Sequence, residues 1–332
     1  MGSRRTRGAD PGILERTIFE NAWEVEPGLY RILLPLPWSV PFVNAYLIES
    51  RGEWMLVDCG LNWGPSLRAL GRALKAIGVP RGGLTYLLLT HRHPDHSGGA
   101  GPVQERWGGA VLLHPIEAAR RYPGPPLVRS WLEEHGLEEP ALLEQLSSPP
   151  RRPEEVLPPE VSPLADSVRL GDLRFEVLPA PGHAWGQVML REPARGWLLA
   201  ADQVLPAPAV NVWSHPGDEG DPLGAYLTSL AAAEGLSCSL LLPGHGIPLR
   251  GGLREGARAM ADFHRAFAAE ALAHLRGRRL TTWEVTRLLY PRWAEEPGEI
   301  RFLMAEALAA LRYLATTRAV RREADGRWEP ID

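Results

Sequence analysis

The sequence has few cysteines, one lysine and no long apolar run. Cys59 and Cys238 are the only cysteines among 332 residues and lie far apart, which argues against a disulfide framework. Each is expected to be a small buried residue rather than a nucleophile. Lys75 is the only lysine, but the arginine excess does not indicate thermostability, because the hyperthermophile signal is enrichment in lysine and glutamate. Since no run of about 18 apolar residues and no signal-peptide core occurs, a cytoplasmic protein without a membrane span is expected.

The chain also lacks a strong excess of either charge. A net charge of −4 gives no basic footprint of the kind that nucleic-acid-binding domains show. A hydrophobic content of 45% is ample for a packed core. The length predicts two structural units, or one large α/β unit with an appendage.

The first part of the chain alternates strand and helix patterns. Short runs rich in β-branched and aromatic residues, bounded by glycine and proline, predict strands at residues 28–35, 44–49, 53–58, 84–89 and 110–114. Helices are predicted at residues 65–77, where Gly78 gives the stop, and at residues 97–107. This order is typical of an α/β fold.

Residues 115–166 break this pattern. Helices are predicted at 127–135 and 140–146, followed by a proline-rich stretch at 149–163. We interpret the segment as an insertion, which is either a lid or binding element or a solvated connector without a role in substrate choice.

A second series of strands is predicted at residues 167–170, 174–178, 187–190, 196–201 and 239–242, with a helix at 222–233. Several of these strands end at a histidine or an aspartate, namely His183, Asp202 and His245. Glycine beside both histidines allows a sharp turn that presents the imidazole from a strand end. Three amphipathic helices at 257–275, 282–290 and 299–315 and a hairpin around residues 325–326 then predict a separate C-terminal domain of winged-helix type.

Three histidines and a carboxylate fall within six residues after the strand at 84–89. They are His91, His93, Asp95 and His96, and they include three of the ten histidines of the chain. Imidazole nitrogens and carboxylate oxygens are ligands that zinc prefers. In an extended backbone His91 and His93 point to the same side, whereas the turn at Pro94 can direct Asp95 and His96 to a second position. Two metal ions are therefore plausible, and a chance cluster in a polar loop is the less favoured alternative.

With these residues the chain resembles the metallo-β-lactamase superfamily. The family signature is an H-x-H-x-D-H loop followed by a histidine, an aspartate and a final histidine at strand ends, and here it is met in order by His91, His93, Asp95, His96, His183, Asp202 and His245. The resemblance covers about residues 28–250. It implies an α/β fold, a four-layer αβ/βα sandwich, which in this chain carries a helical insertion and a C-terminal winged-helix-like domain. The division would be an N-terminal extension at 1–27, the sandwich at 28–252 and the C-terminal domain at 253–332.

The resemblance also implies a ligand set for two divalent metal ions, most simply Zn²⁺, with Mn²⁺ or iron as alternatives. His91, His93 and His183 would hold the first ion. Asp95, His96 and His245 would hold the second, with Asp202 bridging both. Asp58 would support catalysis by bracing a ligand loop through hydrogen bonds. Asp95, or the hydroxide on the metals, would manage the proton that the leaving group needs.

The implied function is hydrolysis, in which water activated by two metals attacks an ester, thioester or lactone carbonyl of a small-molecule substrate. A bridging Asp202 is more similar to the glyoxalase II-like, ribonuclease Z-like and lactonase-like branches than to the exported β-lactamases. One alternative is an endoribonuclease or phosphodiesterase that binds single-stranded RNA through Arg318, Arg321, Arg322 and Arg327. Glu323, Asp325 and Glu329 interrupt this patch, which favours the interpretation of these arginines as solvated surface charge. Another alternative is a non-catalytic metal-binding regulatory protein, and a homo-oligomer is also open.

Overall fold

The computed structural model describes residues 16–120, 124–147, 157–206, 210–292 and 297–331. The first of its two large sheets has eight strands that lie side by side in chain order. Its strands are β1 Arg16–Phe19, β2 Ala22–Glu26, β3 Leu29–Pro35, β4 Phe42–Ser50, β5 Glu53–Val57, β6 Tyr86–Leu88, β7 Ala110–Leu113 and β8 Ser162–Pro163. Neighbours from β1 to β5 pair antiparallel, and those from β5 to β8 pair parallel.

The second sheet has six strands in the order β14, β13, β12, β11, β10, β9. Their bounds are β9 Ser167–Leu170, β10 Leu173–Pro179, β11 Val188–Glu192, β12 Trp197–Ala201, β13 Leu240–Pro243 and β14 Leu249–Arg250. Only β12 and β13 pair parallel in this sheet. The crossover between these two strands contains a helix, as parallel pairing requires.

The helices of the sandwich and of the insertion follow the sequence expectation closely. They are α1 Gly64–Ile77, α2 Pro94–Ser97, α3 Ala100–Trp107, α4 Pro115–Ala119, α5 Pro125–Glu134, α6 Pro140–Ser147 and α7 Pro222–Glu234. Gly78 ends α1 in the left-handed conformation with φ of 102° and donates its N–H to the carbonyl groups of Leu74 and Lys75. The short helices α2 and α4 were not predicted.

Successive side chains of a strand point to opposite faces of the sheet, so the apolar residues of one strand pack in two different layers. In β4, Val43, Ala45 and Leu47 pack in a core with α1 and α3, whereas Tyr46 and Ile48 pack between the two sheets. The second sheet repeats this arrangement, since Leu198 of β12 faces α7 and the helix at Leu253–Leu275, while Trp197 and Leu199 face the first sheet. Helix, sheet, sheet and helix therefore form four layers, and the predicted fold class is confirmed.

The C-terminal part contains α8 Leu253–Leu275, α9 Thr282–Leu289, α10 Pro297–Thr316 and the hairpin of β15 Val320–Arg322 with β16 Trp328–Pro330. These are the predicted three helices and hairpin. Helix α10 packs against α6, α7, α8 and α9. One buried apolar cluster contains Trp131 of α5, Leu227 of α7 and Met304 of α10, so insertion, sandwich and C-terminal part share a core.

Strands β1 and β2 lie within residues 1–27, the stretch interpreted as an extension. In the first sheet β1 pairs with β2, and β2 pairs with β3. Sequence patterns did not predict them. The first half of the proline-rich stretch, at residues 149–156, lies outside the described residues. Both cysteines are free thiols, Cys59 buried and Cys238 partly buried. Within the described ranges, no helix combines the length and the apolar character that crossing a bilayer requires.

Candidate metal centre

The candidate site lies where parallel strands end. Asp58 follows β5, His91 follows β6, Asp202 follows β12 and His245 follows β13. The carboxyl ends of parallel strands share one edge of a sheet, and such edges are the usual location of ligand sites in α/β folds. The two-sheet packing brings both edges together, so that residues from the two halves of the chain meet.

The first group consists of His91, His93 and His183, whose ligand atoms all lie within 4.8 Å of one another. His91 Nε2 lies 3.1 Å from His93 Nδ1. The opposite nitrogens of two of these rings are fixed. His91 Nδ1 lies 3.0 Å from the hydroxyl of Thr90, and His183 Nδ1 donates to the carbonyl oxygen of Asn211 at 2.7 Å. These bonds leave Nε2 of both rings directed at the group.

The second group consists of Asp95, His96 and His245, again within 4.8 Å. His245 Nε2 lies 3.3 Å from Asp95 Oδ2, and its Nδ1 donates to the carbonyl oxygen of Phe42 at 2.9 Å. His96 directs Nε2 toward Asp95 Oδ2 at 3.8 Å. Helix α2 begins at Pro94 and carries Asp95 and His96. His96 also lies near the first group, since the ligand atoms of His91, His96 and Asp202 lie within 4.8 Å of one another.

Asp202 lies between the two groups. Its Oδ1 is 3.5 Å from His96 Nε2, and its Oδ2 is 3.5 Å from both His183 Nε2 and His245 Nε2. Two ligand atoms at about 2.1 Å from one ion with tetrahedral geometry lie roughly 3.4 Å apart. The spacing therefore fits a ligand shell better than it fits hydrogen bonds, which are shorter.

The buried polar atoms of the site support the same interpretation. His96 Nε2, His183 Nε2 and Asp202 Oδ1 are buried and have no hydrogen-bond partner. Buried polar atoms are normally paired, so three exceptions that converge on one point indicate a shared ligand. Five imidazoles and two carboxylates form a donor set suited to borderline divalent ions. The residues present therefore fit a metal centre.

Asp58 braces this centre. Its Oδ2 accepts a hydrogen bond from His96 Nδ1 at 2.8 Å, and its Oδ1 accepts one from the backbone N–H of Thr90 at 2.8 Å. The Thr90 hydroxyl lies 2.9 Å from Oδ2. One carboxylate thus orients a ligand imidazole and holds the strand end that precedes His91, as metal sites commonly require.

The charges divide the imidazoles into two classes. Burial, with help from neighbouring imidazoles, holds the pKa of His91 and of His93 well below the ordinary value. Burial also lowers the pKa of His183. These lowered pKa values favour the neutral form of the three rings, the form in which imidazole binds a metal.

The other two imidazoles lie among carboxylates. Burial opposes their charge, but Asp202, Asp58 and Asp95 raise the pKa of His96 well above its ordinary value, and Asp202 and Asp95 raise that of His245. In return, His245 and His96 hold the pKa of the Asp202 carboxyl well below its usual range despite its burial. Three carboxylates, Asp58, Asp95 and Asp202, thus lie in or beside the second group, and their negative charge favours a cation there.

Aromatic side chains surround the site unevenly. The ring of Trp213 lies 5.8 Å from that of His93. Phe42, exposed at the start of β4, accepts a hydrogen bond from His245 at its carbonyl, and the exposed Trp38 lies in the loop before β4. Tyr226 does not contribute to this surface, because it is fully buried and its hydroxyl donates to the Gln203 carbonyl. Its aromatic ring belongs to the core.

Two positions that the sequence analysis missed hold ligand loops. Asn44 in β4 donates its side-chain amide to the carbonyl groups of Pro243 and Gly246, on either side of the loop that carries His245. Glu117 in α4 accepts backbone N–H groups from two other ligand loops. A polar Asn44 inside a buried strand was a signal that could have been found, whereas nothing in the local pattern distinguished Glu117.

Three of the four arginines considered for RNA binding are engaged in ion pairs. Arg321 pairs with Glu323 and Glu329, Arg322 with Glu134, and Arg327 with Glu284. The acidic partners reduce the positive potential that phosphate binding requires.

Comparison with known proteins agrees with this geometry. A family model described as "Metallo-beta-lactamase superfamily" matches residues 38–245. The probable metallo-hydrolase YqjP of Bacillus subtilis is 25% identical over 308 residues, which cover 87% of this chain and 92% of that protein. A hydroxyacylglutathione hydrolase of Anaeromyxobacter dehalogenans is 28% identical over 190 residues, which cover 57% of this chain and 56% of that protein.

Solved structures are similar over most of the chain. A metallo-beta-lactamase family protein from Thermus thermophilus superposes with a TM-score of 0.79 at 31% identity, covering 93% of this chain and all (100%) of that one. A beta-lactamase domain protein from Burkholderia ambifaria also gives a TM-score of 0.79, at 27% identity and 93% coverage of both chains. Both similarities extend beyond the sandwich into the C-terminal part.

Proposed function

The chain belongs to the metallo-β-lactamase superfamily and is a metal-dependent hydrolase by family, and from this we propose that it is a binuclear enzyme acting on an ester, thioester or lactone carbonyl. The observation that carries the proposal is Asp202, whose two oxygens face ligand atoms of both groups at 3.5 Å. A carboxylate in that position suits two ions that share one ligand.

The proposal gives each ligand residue a role at one or both metal positions. His91, His93 and His183 would hold one ion, Asp95, His96 and His245 the other, and Asp202 both. Bound divalent ions, for which we expect zinc, would acidify a water molecule and polarise the carbonyl oxygen. Asp95 lies at the second group with 14% of its side chain exposed, so it can exchange a proton with the leaving group.

A thioester is the substrate class that we place first. The relatives named hydroxyacylglutathione hydrolase act, by their name, on an acyl group carried by glutathione. In this chain the exposed Trp38 and Phe42 and the half-buried Trp213 would give an acyl group an apolar surface beside the ligands.

The proposal is tested with protein loaded with Zn²⁺, Mn²⁺ or Fe²⁺ and a panel of an acyl-glutathione thioester, an aryl ester, a lactone, an aryl phosphodiester and single-stranded RNA. We expect hydrolysis of one of the first three that stops in Asp202→Ala and after chelation. The control is Asp262→Ala, since Asp262 lies on α8 with 77% of its side chain exposed. Cleavage of RNA or the phosphodiester alone would overturn the proposal in favour of a nuclease.

A further inference from the structure

A buried glutamate joins two of the loops that carry candidate metal ligands. Glu117 lies in the first turn of α4, directly after β7, and is 1% exposed. An ionised carboxylate at such a depth is stable only where hydrogen-bond donors replace water. Its donors here are backbone groups of other segments.

Each oxygen of Glu117 contacts a different loop. Oε2 accepts the backbone N–H of Arg92 at 3.0 Å, and Oε1 accepts the backbone N–H of Gly186 at 2.8 Å. Arg92 stands between His91 and His93, and Gly186 follows His183 by three positions. One side chain therefore connects the backbone on both sides of the first ligand group. Hydrogen bonds to a carboxylate are among the stronger ones in proteins.

The surroundings keep Glu117 in place. The guanidinium group of Arg92 donates to the carbonyl oxygens of Glu117 and Arg120, which ties α4 to the same loop. On the other side the fit is tight, because a Cβ added to Gly186 would lie 2.8 Å from Glu117 Cγ and 2.9 Å from His114 Nδ1. Glu117 therefore bridges the two loops beside a direct backbone hydrogen bond, in which Val188 N–H donates to the Thr90 carbonyl at 3.0 Å.

We propose that Glu117 is a positioning residue that sets the separation of these two loops. By doing so it raises the metal affinity of the first position relative to that of the second. This inference rests on the proposed function for the metals themselves. Both hydrogen bonds of Glu117 go to loops of the first group, whereas His96 and His245 of the second group are oriented by Asp58 and the Phe42 carbonyl. Loss of Glu117 therefore weakens the first position selectively.

The test is a titration of metal-free protein with Co²⁺ in competition with a chelator, followed by the visible absorption of the bound ion. His93→Ala and His245→Ala assign the absorption bands to the two positions. We expect Glu117→Ala to raise the dissociation constant of the first position by about 10- to 100-fold and to leave the second within about twofold. Glu117→Gln, which keeps one acceptor oxygen, should have a smaller effect.

Two further variants sharpen the result. Gly186→Ala should weaken the first position without removing the carboxylate, because the added methyl group forces the loop away from Glu117. Glu105→Gln, at an exposed position of α3, is the control and should change neither affinity.

Hydrogen exchange of the Arg92 and Gly186 amides in the metal-free protein distinguishes positioning from general stability. We expect faster exchange at these two amides in Glu117→Ala while the β4 amides stay protected. Equal weakening of both metal positions, or a lower melting temperature with both affinities unchanged, would overturn the inference. If the unmodified protein hydrolyses no substrate, but Glu117→Ala still selectively loses the first ion, the proposed function alone would be overturned.

Discussion

Asp58 meets two requirements at one residue. It accepts hydrogen bonds from His96 and Thr90, and its backbone lies in the left-handed region at φ 60°. Among residues other than glycine, asparagine and aspartate tolerate that region best. The Asp at this position therefore serves the backbone as well as the ligand.

Asp58→Asn and Asp58→Ala should consequently differ. The asparagine keeps the left-handed backbone and an acceptor but loses the charge, so we expect metal affinity at the second position to fall about 10-fold with little loss of stability. The alanine strains the backbone and leaves the Thr90 N–H without its acceptor, which should lower the free energy of unfolding by about 2–4 kcal/mol. Chemical denaturation of the metal-free variants measures this difference, and equal stabilities would contradict it.

Gly244 has a steric rather than a conformational role. A Cβ at this position would lie 2.9 Å from His96 Cε1 and closer still to Asp202 Oδ1. We expect Gly244→Ala to abolish tight binding at the second metal position, measured by calorimetric titration. The matched control is Gly71→Ala in α1, where nothing lies within 4 Å of the added carbon and helix propensity should raise stability by about 0.5–1 kcal/mol. Full metal affinity in Gly244→Ala would contradict the steric argument.

At the scale of elements, α10 connects the C-terminal part to the metal centre. The N–H of Ser214 donates to the Ala305 carbonyl at 2.9 Å, and the rings of Trp213 and Phe302 lie 5.0 Å apart. The same loop supplies the Asn211 carbonyl that orients His183. The helix therefore supports the segment that positions a candidate ligand.

Glu306 makes the stability of this helix depend on pH. Burial raises the pKa of its partly exposed carboxyl to about 7, although the Tyr290 hydroxyl, which donates to it at 2.5 Å, opposes the rise. Between pH 4.5 and 7 the Glu306 carboxyl is protonated in the folded chain but ionised in the unfolded chain. The contribution of Glu306 to the free energy of unfolding is therefore greatest below pH 4.5 and falls as pH rises to 7. We expect a loss of roughly 2 kcal/mol across this window, since solvent screens part of the effect.

Glu306→Gln should flatten this pH dependence, because the amide carries no charge and still accepts the Tyr290 hydroxyl. Urea denaturation of the metal-free protein at pH 5, 6, 7 and 8 measures the profile. The control is Glu299→Gln, an exposed position at the start of the same helix. An unchanged slope in Glu306→Gln would assign the pH dependence to other groups.

At the scale of the whole molecule, the sequence pattern and the packing lead to different expectations for residues 253–332. The pattern predicts a separate C-terminal domain. In the structure, however, Ile300, Met304 and Leu308 of α10 share one buried cluster with Trp131 of α5 and Leu227 of α7. Elements that share a core unfold together.

We therefore expect a single cooperative transition in calorimetry of the full chain. A chain truncated after residue 252 should aggregate, because truncation exposes the apolar faces of α7 and of the insertion helices. Two resolved transitions, or a soluble truncated chain with native circular dichroism, would support the separate domain instead.

The sequence by itself determined most of the elements and the candidate ligands, although not β1, β2, α2 and α4. Alternation within strands such as β4 and the periodicity of α1 follow from burial of one face or stripe, which is a local property of the chain. The residues of the motif at 91–96 stand out because their types are rare and their spacing is short, and His183, Asp202 and His245 stand out because each follows a strand.

Only the tertiary structure decided how these residues are supported and how the parts of the chain combine. Glu117 contacts Arg92 and Gly186, which lie 25 and 69 positions away, so no local pattern carries its role. The same holds for Tyr226, whose place in the core depends on the packing of α7 against α8. The local sequence indicates which face of an element is apolar and which residues can bind a metal. Which element packs against that face, and how far apart the ligand loops lie, depend on contacts between segments that are distant in sequence and meet only in the folded chain.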